Sequence, residues 1–303
     1  MSRIDLLVPC YNAAPYLRRL MDSVHSQTIP FASIICYDDG SSDDTSRVAQ
    51  ELGLEVVRGE TNRGPAFARN RLIERARSDW VHFHDADDLM DPHFVEKMTA
   101  LLTPEVDVAV CQMDWVTESN GSLEIAWRYD GDKLAKDPLA ANLTRPIGVI
   151  ACVFRLASLR AVGGFDETLR TWEDANLQVR LSRAGARYRL LPEVLAIGMR
   201  HQSGASANLS QLSECQARLL ETYADSLPPR YREILAAESE KLAAWLLTEN
   251  MHLEVARRCL DLCRRLGWNV PSTSNPLLRA ARAILPSRWL VVLQARHRRR
   301  KAS

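Results

Sequence analysis

No apolar run in this 303-residue chain approaches the roughly 18 residues needed to span a bilayer. The opening, MSRIDLLVPCYN, lacks the long apolar segment and small-residue cleavage site of a secretory signal. The seven cysteines include no C-x-x-C pair, and their odd number argues against both a disulfide framework and a zinc site. Cys259 and Cys263 share a helix face and read as packing residues. There is no Walker loop of the form G-x-x-x-x-G-K-[ST] and no glycine-rich phosphate cradle. A formal net charge of +1 supplies no global field, and nucleic acid is not an expected partner. These absences lead us to expect a cytoplasmic protein. What is present is ordinary for a globular chain, with 46% apolar and 25% charged residues. The length is enough for a sizeable core in one large domain or two.

The stretch around which the rest is organised is Trp80–Pro92, WVHFHDADDLMDP. Trp80, Val81 and Phe83 form a short apolar run typical of a buried strand, and Asp85, Asp87 and Asp88 crowd the loop where it ends. Carboxylates spaced one apart in such a loop suit a divalent cation, Mg²⁺ being typically held by one or two carboxylates plus substrate phosphates. Asp91-Pro92 reads instead as an N-cap followed by proline at the first helical position.

Before this stretch, strands and helices alternate. Ile4–Val8 reads as a strand and Asn12 as the cap of a helix bearing Leu17, Leu20, Met21 and Val24. Ser33–Tyr37 is a second strand, running straight into Asp38-Asp39-Gly40-Ser41-Ser42. Glu55–Arg58 is a third, and Asn62-Arg63-Gly64-Pro65 opens a helix carrying Ala66, Ala68, Leu72, Ile73 and Ala76. Such alternation with short connections predicts an α/β domain with a doubly wound, parallel sheet. Ligands in such sheets bind beyond the carboxyl ends of the strands, where both acidic loops fall. Carboxylates gathered there are costly unless a cation or hydrogen-bond donors compensate them. Taken alone, DDGSS also fits a solvated turn.

Four segments in this order, PCYNAAPYLRRLMDSVHSQT, YDDGSSDDT, NRGPAFARN and FHDADDLMDP, resemble the N-terminal half of family 2 glycosyltransferases of the GT-A fold. Ser78 stands where glycine is common before the acidic strand, and His84 replaces an apolar residue before Asp85. The resemblance implies an inverting, metal-dependent transferase using Mg²⁺ or Mn²⁺. The donor would be a nucleotide sugar, with a uracil base as the first expectation, and the acceptor a glycan or lipid-linked glycan in cell-surface polysaccharide biosynthesis. It places the donor against Pro9, Tyr11, Asn12, Asp38, Asp39, Asn62, Gly64, Arg69, Asp85, Ala86 and Asp87. Within that set Asp39 would accept a base N–H, Arg69 would reach the base or the phosphates, and Asp85 and Asp87 would hold the metal.

Beyond Leu102 the signals weaken. Val106–Cys111, Glu124–Tyr129 and Val149–Phe154 read as strands and Asp132–Leu143 as a helix. Gly163-Gly164 permits a tight turn and a close approach of backbone to a ligand. Thr171 and Asp174 fit a capping box, which would explain the acid without chemistry. GGFDETLRTWEDANLQVRLSRAG, however, resembles the family's GGFDE…ED segment. That resemblance makes Asp174 the catalytic base and puts Gly164 and Glu173 on the acceptor side. MRHQSGAS resembles the family's closing loop, with His201 as a third metal ligand. The resemblance covers about two-thirds of the chain, so the expected division is a transferase domain over 1–206 and a helical extension over 207–303.

In the extension, Leu209–Leu266 reads as helical, broken at Pro228-Pro229. From Arg279 onward there are eight Lys or Arg residues and no Asp or Glu, beside Trp289-Leu290-Val291-Val292-Leu293. That pairing suits a helix lying on the inner face of the cytoplasmic membrane, and equally a docked terminal helix with a solvated basic end. Two other functions remain open to the sequence: a phosphoryl- or nucleotidyl-transferring enzyme, and a degenerate transferase that binds sugar nucleotide or acts as a scaffold.

Overall fold

The computed structural model describes residues 2–200 and 208–268, so the expectations for His201 and for the basic tail lie outside the described residues. The chain divides into two compact units, 1–207 and 208–303.

In the first unit the elements run β1 (Ile4–Cys10), α1 (Ala14–His25), β2 (Ser33–Asp38), α2 (Thr45–Glu51), β3 (Glu55–Arg58), α3 (Pro65–Arg75) and β4 (Trp80–Phe83). Then come β5 (Leu89–Met90), α4 (Phe94–Thr99), β6 (Val108–Thr117), β7 (Leu123–Trp127), α5 (Gly131–Lys136) and α6 (Pro138–Thr144). The unit closes with β8 (Cys152–Arg155), α7 (Leu156–Ala161), α8 (Glu173–Arg183) and β9 (Tyr188–Arg200). One sheet joins all the strands in the order β3-β2-β1-β4-β8-β6-β9-β5, with β7 paired to β6.

The first four strands in that order are parallel, as the alternation predicts. Beyond β4 the sheet is mixed: β8 runs antiparallel to both β4 and β6, while β6 and β9 are parallel. All of Trp80–Phe83 is buried, because β4 lies between two strands with helices on its faces. The β1 strand is equally apolar except for Asp5. Burial would raise that carboxyl, but hydrogen bonds from Ser78, Ser33 and the Arg77 amide outweigh it and hold the group below its ordinary range. Ser78 therefore fastens the turn before β4 to the start of β1.

Several local expectations are corrected. Asp132–Leu143 is two helices, because Asp137 caps the second ahead of Pro138. Val149–Ala151 is a 3₁₀ turn and only Cys152–Arg155 is strand. Asp91 accepts the His93 amide at 2.8 Å, but α4 starts only at Phe94 with His93 in the cap position. Asn12 does not cap α1. That helix end is served instead by Thr45, whose hydroxyl accepts the Ala13 and Ala14 amides at 2.7 and 3.1 Å.

In the second unit, α9 (Leu209–Ser226), α10 (Arg232–Thr248) and α11 (Leu253–Arg265) pack through Leu220, Tyr223, Leu235, Ala236, Cys259 and Cys263. Arg258 of α11 ties to Glu214 and Glu221 of α9 at 2.6 and 2.7 Å. Among the described residues no helix is long and apolar enough to cross a membrane.

Candidate active site

The carboxyl ends of β1, β2 and β4 form one edge, and three loops meet there. The first follows β1. Asn12 adopts a left-handed φ of 50° and its Oδ1 accepts the Ser42 amide at 3.0 Å, while its own amide donates to Ser41 Oγ at 2.9 Å. This loop is thus stitched to the loop after β2, and Tyr11 is left half exposed at its tip. Pro9 lies within β1, opposite Tyr37.

The two aspartates after β2 have separate fates. Asp38 is wholly buried: the Ser41 amide donates to it at 2.8 Å, the Ser46 hydroxyl donates to its other oxygen, and Arg58 lies 3.8 Å away. It braces the loop and presents nothing outward. Asp39 uses Oδ2 to accept the Arg63 and Gly64 amides at 2.9 and 2.6 Å, whereas its Oδ1 is buried without a partner. A buried acceptor left unpaired is expensive, and a ligand N–H would satisfy it. Gly64 has a φ of 94°, and a Cβ there would meet the Arg170 side chain at 2.7 Å. Asn62 accepts from the same arginine at 3.3 Å.

The third loop follows β4. Asp85 and Asp87 are half-buried at the cleft, with Ala86 buried between them. Asp88 turns inward, where its Oδ1 accepts the Met199 amide at 2.7 Å and fastens the loop to β9. Burial, reinforced by Asp87 and Asp85, pushes the Asp88 carboxyl well above its ordinary range. Arg19 of α1 donates to the Asp87 carbonyl at 2.9 Å and pairs with Glu118 at 3.0 Å. Among the described residues no three His, Cys, Asp or Glu side chains converge as a metal cage.

Arg69 occupies a different place from the one expected. It is 4% exposed, and its guanidinium joins Asp85 at 2.7 Å to Glu173 at the start of α8. It acts as a counter-charge between these two carboxylates. Burial opposes its charge, but Asp85, Glu173 and Asp174 hold it protonated. Burial pushes the Glu173 carboxyl up to about 7 against the pull of Arg69. Asp174 is also raised by burial, with Arg69 pulling down and Asp85 pushing up. The capping box is not formed: α8 is preceded by Trp172 in a left-handed conformation with no side-chain cap, and Asp174 Oδ1 accepts the adjacent Ala175 amide at 2.7 Å.

Gly164 is a packing glycine. Its φ is 68° and a Cβ would fall 2.4 Å from Asn70 Oδ1, which accepts the Phe165 amide at 2.7 Å. Gly164→Ala is expected to destabilise the first unit by about 1–3 kcal/mol through strain and overpacking. A denaturant midpoint equal to wild type would show that the turn relaxes freely.

Sequence reasoning missed Arg19, Thr45 and the inward role of Asp88. A lone helical arginine carries no pattern that announces its carbonyl partner 68 residues away.

An α/β sheet with a mixed second half and acidic loops at its carboxyl edge is the GT-A arrangement. The S. aureus TarS fragment 1–349 in complex with UDP-GlcNAc has the same fold, at TM-score 0.59 and 18% identity over 87% of this chain and 90% of that one. So has the mannosyltransferase PcManGT from Pyrobaculum calidifontis in complex with GDP-Man and Mn²⁺, at TM-score 0.62 and 20% identity over 97% and 84%. Residues 5–162 match the Glycosyl transferase family 2 model, and the chain belongs to that family. Succinoglycan biosynthesis protein ExoU of Rhizobium meliloti (strain 1021) is 29% identical over 212 residues, 62% of this chain and 59% of ExoU. The chain spans between 36% and 59% of the length of several curated relatives it matches.

Proposed function

We propose that this protein is an inverting, metal-dependent glycosyltransferase, with the chemistry in residues 1–206 and a helical extension in 207–303. The observation that carries the reading is the single cluster in which Arg69 joins Asp85 of the acidic loop to Glu173 beside Asp174. Donor-side and acceptor-side carboxylates thereby face one reaction centre. Asp85 and Asp87 fit a Mg²⁺ or Mn²⁺ ion: they stand one residue apart at a strand end, Arg69 engages only one oxygen of Asp85, and substrate phosphates would complete the shell. Such an ion would supply charge neutralisation of the departing nucleoside diphosphate.

The chain's own groups do the rest. The unpaired Asp39 Oδ1 accepts a base N–H, which uracil N3 supplies; a guanine N–H offers the same bond, so the base is decided by experiment. Tyr11 flanks the donor at the loop tip. Asp174 takes the proton from the attacking acceptor hydroxyl, and a single displacement with such a base inverts the anomeric carbon. The acceptor is a glycan or lipid-linked glycan in polysaccharide synthesis, a reading supported by the likeness to a succinoglycan biosynthesis protein. Contact of the basic tail with the inner membrane face belongs to the same proposal.

The test is a thermal-shift panel of UDP-, GDP- and dTDP-sugars with and without Mn²⁺ or Mg²⁺. Binding of one donor should raise apparent stability by about 2.7 kcal/mol at a hundredfold excess over Kd. In Asp87→Ala the metal-dependent part of that shift should vanish with the unliganded midpoint unchanged. No shift with any sugar nucleotide, or an undiminished one in Asp87→Ala, overturns the reading.

A further inference from the structure

Two histidines lie beneath the acidic loop and have no part in the chemistry above. His82 and His84 are both fully buried, and His82 is stacked near Phe31 and packed on Phe94, with ring centroids 6.0 and 4.3 Å apart. An apolar side chain would fill either position without desolvating an imidazole, so shape alone gives no reason for the pair. Their hydrogen bonds do. His82 Nδ1 lies 2.7 Å from the Cys152 carbonyl of β8, and His82 Nε2 lies 3.0 Å from His84 Nδ1.

The Cys152 carbonyl gives that chain a direction. A carbonyl oxygen only accepts, so the proton of His82 is on Nδ1 and its Nε2 is a lone pair. His84 Nδ1 must then donate to it. Both rings are fully buried, which disfavours a charged imidazolium. The remaining nitrogen, His84 Nε2, is buried, and its edge of the ring faces the backbone of Asp88 and Leu89.

His84 is therefore fixed twice over. Its amide donates to the Leu7 carbonyl of β1 at 3.1 Å, and its ring is anchored through His82 to β8. The next residue is Asp85. From above, the same loop is closed by the Asp88 amide on the Asp85 carbonyl at 3.1 Å and by Arg19 on the Asp87 carbonyl at 2.9 Å. With the chain entering the loop at one fixed angle and the ring edge supporting its far side, Asp85 and Asp87 have little freedom to turn.

We propose that His84, held in one tautomer by His82, is a positioning residue that sets the direction in which the Asp85–Asp88 loop presents its carboxylates to a nucleoside diphosphate and cation. The ligand in this statement rests on the proposed function, whereas the ordering of the loop does not.

Three variants separate positioning from packing. His84→Leu removes the donor and keeps the apolar bulk. His84→Asn returns a donor near the Nδ1 position. His82→Phe leaves His84 in place, fits between Phe31 and Phe94, and cuts the anchor to Cys152. Amide hydrogen exchange is read in the free protein, and affinity for UDP and for GDP with Mn²⁺ is measured beside it.

In His84→Leu and His82→Phe, amides of 85–90 should exchange about tenfold faster while those of β1 and β4 stay protected. Diphosphate affinity in the presence of Mn²⁺ should fall by about tenfold or more, the usual effect of losing an outer-sphere partner. His84→Asn should recover most of both. If His84→Leu does not fold, His82→Phe carries the comparison. Unchanged loop exchange in the folded variants, or no rescue by His84→Asn, overturns the proposal. Should the wild type bind neither diphosphate, the proposed function falls, and the exchange data alone decide the role of His84.

Discussion

Arg69→Met is expected to cost the first unit about 3–5 kcal/mol, because it strands buried carboxylates without their counter-charge. The side chain is 4% exposed and sits between Asp85 and Glu173, with Asp174 close enough to influence it. Methionine fills a similar volume, so the loss is electrostatic and is not that of a cavity. Its pH dependence follows from Glu173. That carboxyl is raised by burial to about 7, so its stabilising contribution is complete below the unfolded value and is lost as pH rises through about 7. Without Arg69 the carboxyl rises further, and the penalty is one of holding it ionised. The deficit should therefore be largest above pH 7 and shrink toward pH 5, where Glu173 takes up a proton. Urea unfolding of wild type, Arg69→Met, Glu173→Gln and the double variant gives the coupling directly. Glu173→Gln should recover part of the deficit. A loss under 1 kcal/mol, or one independent of pH, would mean that Arg69 does not serve as the counter-charge.

The parallel half of the fold was legible because its strands are short apolar runs with turn chemistry between them, the fully buried Trp80–Phe83 being the clearest case. The second half was not. Strand β9 carries Pro192 and exposed Arg189 and Glu193, so its apolar period is broken, and pairing with β6 and β5 makes it a strand. Strand β5 is two residues long, too short for any pattern. In the site, the acids announced themselves by crowding, yet sequence spacing does not tell a carboxylate that faces the cleft from one that faces the loop's own amides. Asp38 and Asp39 are neighbours, and one satisfies its turn completely while the other keeps a lone oxygen. Arg69 was placed by motif on the correct helix, but its role depends on a contact with Glu173 more than a hundred positions away. Such partners are set by tertiary packing, which no local pattern encodes.

Asp174→Asn is expected to reduce sugar transfer by roughly a hundredfold or more while leaving the fold and donor binding intact. The competing explanation of this acid was helix capping, which would be worth about 0.5–2 kcal/mol. The structure leaves that explanation little to act on. Helix α8 has no side-chain cap, and Asp174 accepts the Ala175 amide, which an asparagine oxygen accepts equally well. What the amide does not do is take up a proton. As the base, Asp174 must be ionised, so activity should fall as pH drops through its pKa. Burial and Asp85 raise that pKa and Arg69 lowers it, with a net upward shift. The acid limb of kcat/KM should therefore lie above the ordinary aspartate range, and it should be missing from the residual activity of Asp174→Asn. Rates of nucleoside diphosphate release with acceptor present, measured from pH 4 to pH 9 alongside the melting temperature, distinguish the two roles. A variant that melts early yet transfers at the wild-type rate in the cold would return Asp174 to the helix terminus. One that melts normally and keeps its acid limb would pass the proton to another group, and Glu173 is the carboxylate placed to receive it.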